Sequence, residues 1–198
     1  MGTTVDPSSQ TPPVHRPLDE FYEMRGTPMP PVEFLEPGEL PEPYHWLLCH
    51  CESMTSRLER FFGGSLHIRV LQKRQFEEIL ARQVALVLDA SEEPVEYGAI
   101  KINLTLFAPE VRRVVRESRL PFGAILRDFE IAFTSEPRAF FRIQADDIMK
   151  VALNLDGSVS LYGRCNVLTD VESGLPLAEV VEILPLLDPA AHPAAPPT

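Results

Sequence analysis

The sequence is poor in long apolar segments and in basic residues, and each shortage excludes a class of protein. No stretch approaches the roughly 18 apolar residues that a membrane-spanning helix needs, and no apolar run follows a basic start as in a secretory signal. Lys and Arg number 18 against 29 Asp and Glu, a net charge of -11. Because this charge repels phosphate backbones and anionic lipid, we expect a cytoplasmic protein without nucleic-acid or membrane partners.

Motifs for the common catalytic centres are also missing. The chain has no GxSxG, P-loop, GxGxxG, HExxH or CxxC pattern. Its five histidines are scattered, with His15 and His192 near the two ends. Cys49 and Cys51 flank His50, but side chains two apart on a helix diverge, which favours reduced structural thiols over a metal site. We therefore expect neither a metal nor a cofactor.

Proline is abundant and unevenly placed, which predicts how the chain is divided. Of the 20 prolines, ten precede residue 44 and five follow from Pro185 onward. Residues 1–43 are therefore interpreted as a proline-rich arm that is dispensable for folding, residues 44–187 as one domain, and residues 188–198 as a disordered Pro/Ala tail. Phe21, Tyr22 and Phe34 are apolar enough for part of the arm to lie across the domain.

Hydrophobic periodicity predicts helices and strands in the central part. Spacings of three and four predict a helix over residues 44–62, broken near Ser53 as a possible N-cap. Alternation predicts strands over 66–71, 84–88, 95–104, 161–169 and 177–184, a hairpin over 129–144, and a short helix after Pro109. Short turns between strands predict an α+β fold: a single antiparallel sheet with flanking helices, enclosing an internal pocket.

Two arginines occur in strand segments that should face the core. Arg82 shares its predicted strand face with Val84, Leu86 and Leu88, where a charge requires a partner. One interpretation is an anchor for a substrate carboxylate, since the guanidinium fork matches a carboxylate. The other is an Arg whose head reaches solvent or pairs with an internal Glu. Arg164 has the same two interpretations, the second being a cross-strand ion pair.

Two glutamates lie in the apolar segment LAEVVEILP near the end of the predicted domain. Glu179 and Glu182 should point to opposite faces of a regular strand, so only one can face inward. A partly buried carboxylate has a raised pKa suited to acid–base work. The alternatives are a solvated face for Glu179, and an exposed edge or a structural pair with Arg for Glu182.

Four segments in order resemble the bacterial chorismate pyruvate-lyases, which make 4-hydroxybenzoate. WLLCHCESMTSRLERF is similar to the first helix of that family, and RQVALVLDASEEPVEYG to its hairpin with the substrate-binding Arg. LPFGAIL resembles its Thr-Pro-Leu-Gly turn. LYGRCNVLTDVESGLPLAEVVEILP resembles its closing strand pair, which carries Leu-Trp-Gly-Arg and a later Glu. The resemblance covers roughly residues 44–185.

The resemblance implies a carbon–oxygen lyase that eliminates pyruvate from chorismate without metal or cofactor. It places the carboxylate-binding Arg at Arg82 and the two carboxylate-binding amides at Met54 and Phe122, where Phe122 replaces the family's Leu. The catalytic Glu of the family falls on Val181, with Glu182 one residue later and Glu179 two earlier. Either a bulge restores Glu182, Glu179 acts from the same face, or the chemistry has changed.

Two other functions are compatible with the same fold. One is an enzyme, such as a cyclase, isomerase or lyase, that acts on a polyketide or another natural-product intermediate. The other is a ligand-sensing module, because effector domains of some transcription regulators are similar to this fold. The absence of a helix-turn-helix before the domain ranks the sensing module last. The partner expected from the sequence is a small carboxylated substrate, and the oligomeric state is left open.

Overall fold

Seven antiparallel strands form one sheet in the computed structural model of this chain, which describes residues 16–187. The first 15 residues with His15 and the predicted tail at 188–198 with His192 lie outside the described residues. The sheet order is β1-β5-β6-β7-β4-β3-β2. The strands are β1 (Val32–Leu35), β2 (Leu66–Phe76), β3 (Ile79–Leu88), β4 (Pro94–Asn103), β5 (Phe133–Gln144), β6 (Ser160–Asp170) and β7 (Pro176–Leu184). The predicted α+β fold with a single antiparallel sheet is confirmed.

Helices cover both faces of this sheet. They are α1 (Arg16–Arg25), α2 (Tyr44–Leu48), α3 (Met54–Phe62), α4 (Pro109–Glu117), α5 (Phe122–Asp128) and α6 (Asp147–Leu153). α1 and α6 pack on one face through a single apolar cluster, and α2 to α5 pack on the other face through two clusters. No helix within residues 16–187 is long and apolar enough to cross a membrane.

The segment predicted to be an arm contributes a helix and an edge strand to the fold. Leu18 and Phe21 of α1 are fully buried, and the hydroxyl of Tyr22 donates a hydrogen bond of 2.5 Å to Asp146. β1 pairs with β5, with Phe34 opposite Phe141. The difference from the sequence-based expectation arises because the prolines lie between these elements, or at the helix start, where they do not interrupt backbone hydrogen bonding.

The hairpin predicted for residues 129–144 is instead one continuous strand. β5 runs from Phe133 to Gln144 against β6, and its register shifts between Pro137 and Ala139. A proline cannot donate to the ladder, so it is tolerated at such an irregularity. The strand therefore passes through TSEPR, which has the composition of a turn.

Removal of the Phe21 ring should show that α1 belongs to the core. Phe21→Ala is expected to lower the free energy of unfolding by about 3–5 kcal/mol, the usual cost of truncating a buried Phe, as measured by urea denaturation. Glu23→Ala, an exposed change in the same helix, is the control and should alter it by less than about 0.5 kcal/mol. If Phe21→Ala lowers the free energy of unfolding as little as Glu23→Ala does, α1 adds little to the core.

Candidate functional site

A cavity of about 60 Å³ lies between the sheet and the N-terminal ends of α3 and α5. On the same measure one water occupies roughly 10–15 Å³, so the cavity has room for roughly four to six waters or one compact organic molecule. Most of its wall is aliphatic, and six polar side chains line it. These are Ser53, Thr55, Arg82, Glu96, Asn166 and Glu182.

Arg82 is the polar side chain that distinguishes this cavity. Only 1% of the residue is exposed, and its Nε and Nη1 have no hydrogen-bond partner among the described residues. No carboxylate in the described part of the chain forms a salt bridge with it. Burial alone lowers the pKa of the guanidinium to about 10, which leaves it charged at neutral pH. The cavity therefore contains a buried cation whose donors are unused.

The register of the sheet explains why Arg82 faces this cavity. Directly paired residues of neighbouring strands point to the same face. Arg82 pairs with Ile100, Ile100 with Val180, and Val180 with Asn166, which makes one row across four strands. The next residue along β3, Gln83, points to the opposite face, where it contacts Tyr97 and Arg25.

The N-terminus of α3 lies at the same cavity. Ser53 occupies the N-cap position but makes no capping hydrogen bond, and Met54 and Thr55 follow it in the cavity wall. The first amides of a helix have no partner within the helix, and the helix dipole makes this end electropositive. Together with Arg82, these groups give the cavity the character of an anion site.

Gly123 allows α5 to approach this end of α3 closely. A Cβ atom at Gly123 would lie 2.0 Å from Ser53 Oγ and 2.7 Å from Thr55 Oγ1. Any larger residue would push the two helices apart and displace the wall of the cavity. The LPFG segment is therefore a packing element here, with Phe122 buried beside the cavity.

Arg164 is fully buried and, unlike Arg82, has partners. Its Nε donates to Glu182 Oε2 at 2.5 Å, and its Nη1 donates to the carbonyls of Leu48 and His50 at 2.8 and 3.0 Å. Of its two interpretations, the structure shows the cross-strand ion pair. Arg164 lies outside the cavity lining and fixes the end of α2 and the loop that leads to Ser53.

The two glutamates of β7 point to opposite faces of the sheet. Glu182 lines the cavity but is bound to Arg164. Glu179 pairs with Lys101 and Val167 in the register of the other face and is partly exposed. Neither is a free carboxylate in the cavity.

Glu96 is the cavity carboxylate that the sequence reasoning missed. It is 5% exposed, and its Oε2 has no hydrogen-bond partner within the described residues. Burial, and then the nearby charge of Glu182, raise its pKa well above that of an ordinary carboxyl, with Arg164 acting in the opposite direction. The strand register would have indicated this residue, because Glu96 pairs with Leu86, which lies on the same face of β3 as Arg82.

Cys49, His50 and Cys51 do not form a site in the structure. Cys51 is exposed, Cys49 is partly buried, and His50 Nδ1 accepts a hydrogen bond from the Glu52 amide at 3.0 Å. Burial lowers the pKa of His50 to about 3. Within residues 16–187, no three His, Cys, Asp or Glu side chains cluster as they would around a metal ion.

The fold is that of the chorismate lyase-like domains, which include effector domains of regulators. No family profile matches the chain, and no curated protein matches its sequence. Among solved structures, the effector domain of PhnF from Mycobacterium smegmatis is 16% identical, with a TM-score of 0.52 over 67% of this chain and 88% of that domain.

Two further structures are similar. Gene product SA0254 from Staphylococcus aureus is 8% identical with a TM-score of 0.51, over 68% of this chain and 88% of that one. A GntR-family transcriptional regulator from Bacillus cereus is 12% identical with a TM-score of 0.43, over 60% of this chain and 90% of that one.

The prediction that this chain is an enzyme, a chorismate pyruvate-lyase-like carbon–oxygen lyase, is wrong. Among the solved structures that share its fold is an effector domain, that of PhnF. The side chains agree with this correction, because the carboxylate nearest the family's catalytic position, Glu182, is held by Arg164 and is not free to move a proton. The likeness to the lyases is therefore one of fold.

Replacement of each buried arginine by methionine should have opposite effects on stability. Arg164→Met leaves Glu182 buried and unpaired, and should lower the free energy of unfolding by about 3–5 kcal/mol. Arg82→Met removes a charge that has no internal partner, and should raise the free energy of unfolding by about 1–4 kcal/mol. Urea denaturation of both variants measures the difference. A loss for Arg82→Met as large as that for Arg164→Met would contradict the assignment of Arg82 as unpaired.

Glu96 should make stability depend on pH. Its folded-state pKa is raised, so its favourable contribution is complete below the ordinary carboxyl value of 4.5 and is lost as the pH rises through the folded-state value. Glu96→Gln should therefore stabilise the protein increasingly above pH 4.5, by at most about 1.4 kcal/mol per pH unit. Denaturation of both proteins from pH 4.5 to 8 tests this. A difference that does not change with pH would show that Glu96 is not perturbed.

Proposed function

We propose that this chain is a ligand-binding domain that senses a small organic carboxylate, with Arg82 as the anion-binding residue. The observation that carries the proposal is a buried guanidinium with two unused donors facing a cavity. A buried charge without an anionic partner lowers the stability of the fold. A protein tolerates this cost where the charge has a function. A carboxylate matches either fork of the guanidinium, Nε with Nη2 or Nη1 with Nη2, and each fork contains one of the two unused donors.

The rest of the cavity supports the same ligand class. The α3 N-terminus adds backbone donors and a favourable dipole, and the hydroxyls of Ser53 and Thr55 are within the wall. The remaining wall is apolar, with Ile68, Val84 and Phe122 among its members. Such a cavity suits a compact molecule with an anionic head and an apolar body.

A sensing role is preferred to catalysis because the carboxylates of the cavity are not placed for turnover. Glu182 is bound to Arg164, and Glu96, whose pKa is raised by burial, lies on a different row of the sheet from Arg82. The likeness to the PhnF structure, which is an effector domain, supports a sensing role.

The proposal is tested by calorimetric titration with straight-chain carboxylates of three to six carbons and with their neutral amides. The wild type should bind at least one carboxylate more tightly than its amide. Arg82→Met should weaken binding of the carboxylate by roughly 2–5 kcal/mol and leave binding of the amide nearly unchanged. Arg138→Met, which removes a half-exposed surface charge, is the matched control and should alter neither.

Two results would contradict the proposal. Equal weakening of acid and amide by Arg82→Met would show that Arg82 supports the structure of the cavity and does not bind the anion. A folded wild-type protein that binds none of the acids would show that the cavity does not select for carboxylates of this length.

A further inference from the structure

The cavity contains a second polar group with unused hydrogen-bonding capacity. Glu96 lies on the same sheet face as Arg82, but on a different row, since it pairs with Leu86 whereas Arg82 pairs with Ile100. These rows are four residues apart along the strands, about 13 Å at roughly 3.3 Å per residue. Both side chains line the cavity, so they approach it from its two ends.

The charged groups near Glu96 determine whether its carboxyl group is neutral or ionised when a ligand binds. Glu182 lies diagonally across from it, because Glu182 pairs with Gly98, two residues along β4. Its partner Arg164 already donates to Glu182 and to two carbonyls, and only its Nη2 lacks a hydrogen-bond partner among the described residues. An ionised Glu96 would thus face a carboxylate whose cation is engaged, and Arg82 lies two rows away.

Resting on the proposed function above, we propose that Glu96 acts as a neutral carboxylic acid that binds an uncharged polar group at the end of the ligand opposite its anion. The acid form has an O–H donor and a carbonyl acceptor, so it suits a hydroxyl or a carbonyl. The ligand class is then a small monoanion with a distal hydroxyl or carbonyl group, such as an ω-hydroxy or ω-oxo acid.

The charge balance of the cavity favours this class over a zwitterion. With Glu96 neutral and Glu182 paired, Arg82 is the only uncompensated charge among the described cavity residues, and a monoanion neutralises it. An amino acid would require Glu96 to ionise beside the Glu182 carboxylate. We therefore expect an ω-amino acid to bind less tightly than the ω-hydroxy acid of the same length.

The experiment compares three end groups at each chain length from three to six carbons: the unsubstituted acid, the ω-hydroxy acid and the ω-amino acid. Affinities for the full chain are measured by titration calorimetry or ligand-observed NMR at pH 7. At the best length, the wild type should prefer the hydroxy acid over the unsubstituted acid by about tenfold, the scale of one buried hydrogen bond. Glu96→Leu should abolish this preference while retaining binding of the unsubstituted acid.

Two further variants separate a ligand contact from a structural role. Glu96→Gln keeps a donor and an acceptor at the same place, so it should retain most of the hydroxyl preference. Glu179→Gln changes a carboxylate on the opposite face and should leave the preference unchanged. Thermal melts should show that Glu96→Leu is folded and at least as stable as the wild type.

The outcomes distinguish this inference from the proposed function. A hydroxyl preference that survives in Glu96→Leu, or a wild type that binds the amino acid most tightly, overturns the inference about Glu96 alone. Acids that bind equally well to wild type and Arg82→Met overturn the proposed function, and this inference with it.

Discussion

A guanidinium removed from water needs an anion or a full set of acceptors, and this requirement governs the whole cavity. One face of the sheet carries two fully buried arginines. Arg164 pairs with Glu182 and two backbone carbonyls, and only its Nη2 lacks a hydrogen-bond partner, whereas Arg82 has no anionic partner among residues 16–187. The difference between them separates a structural charge from one that is available to a ligand.

Arg164, which is paired, positions the elements around Arg82, which is not. Arg164 binds the carbonyls of Leu48 and His50 and thereby fixes the loop between α2 and α3. Arg57 of α3 continues this arrangement, since its guanidinium stacks 3.5 Å from the Trp46 ring and donates to the Trp46 carbonyl. The N-terminus of α3 is thus held over the sheet before any ligand arrives, which reduces the ordering cost of binding.

Hydrophobic spacings of two residues predicted most of the sheet, and spacings of three and four predicted the helix broken at Ser53, because apolar side chains at these spacings pack in the clusters on the two faces of the sheet. They did not predict α1, whose few apolar residues are set among prolines and charges, or the identity of the cavity carboxylate. Glu96 follows a turn-like segment, and its direction depends on cross-strand register, which a linear sequence does not state. The motif resemblance predicted the fold correctly and the chemistry wrongly, because one fold can support different functions and Glu182 is held here by Arg164.

The most direct test of the account is a crystal structure of the protein soaked in selenate, whose anomalous scattering locates an anion without reference to a particular ligand. An anomalous peak is expected within hydrogen-bonding distance of the Arg82 guanidinium, near the first amides of α3. A cavity without a peak, in which Arg82 has turned to pair with Glu96 or Glu182, would contradict the claim that this guanidinium is held for an external anion.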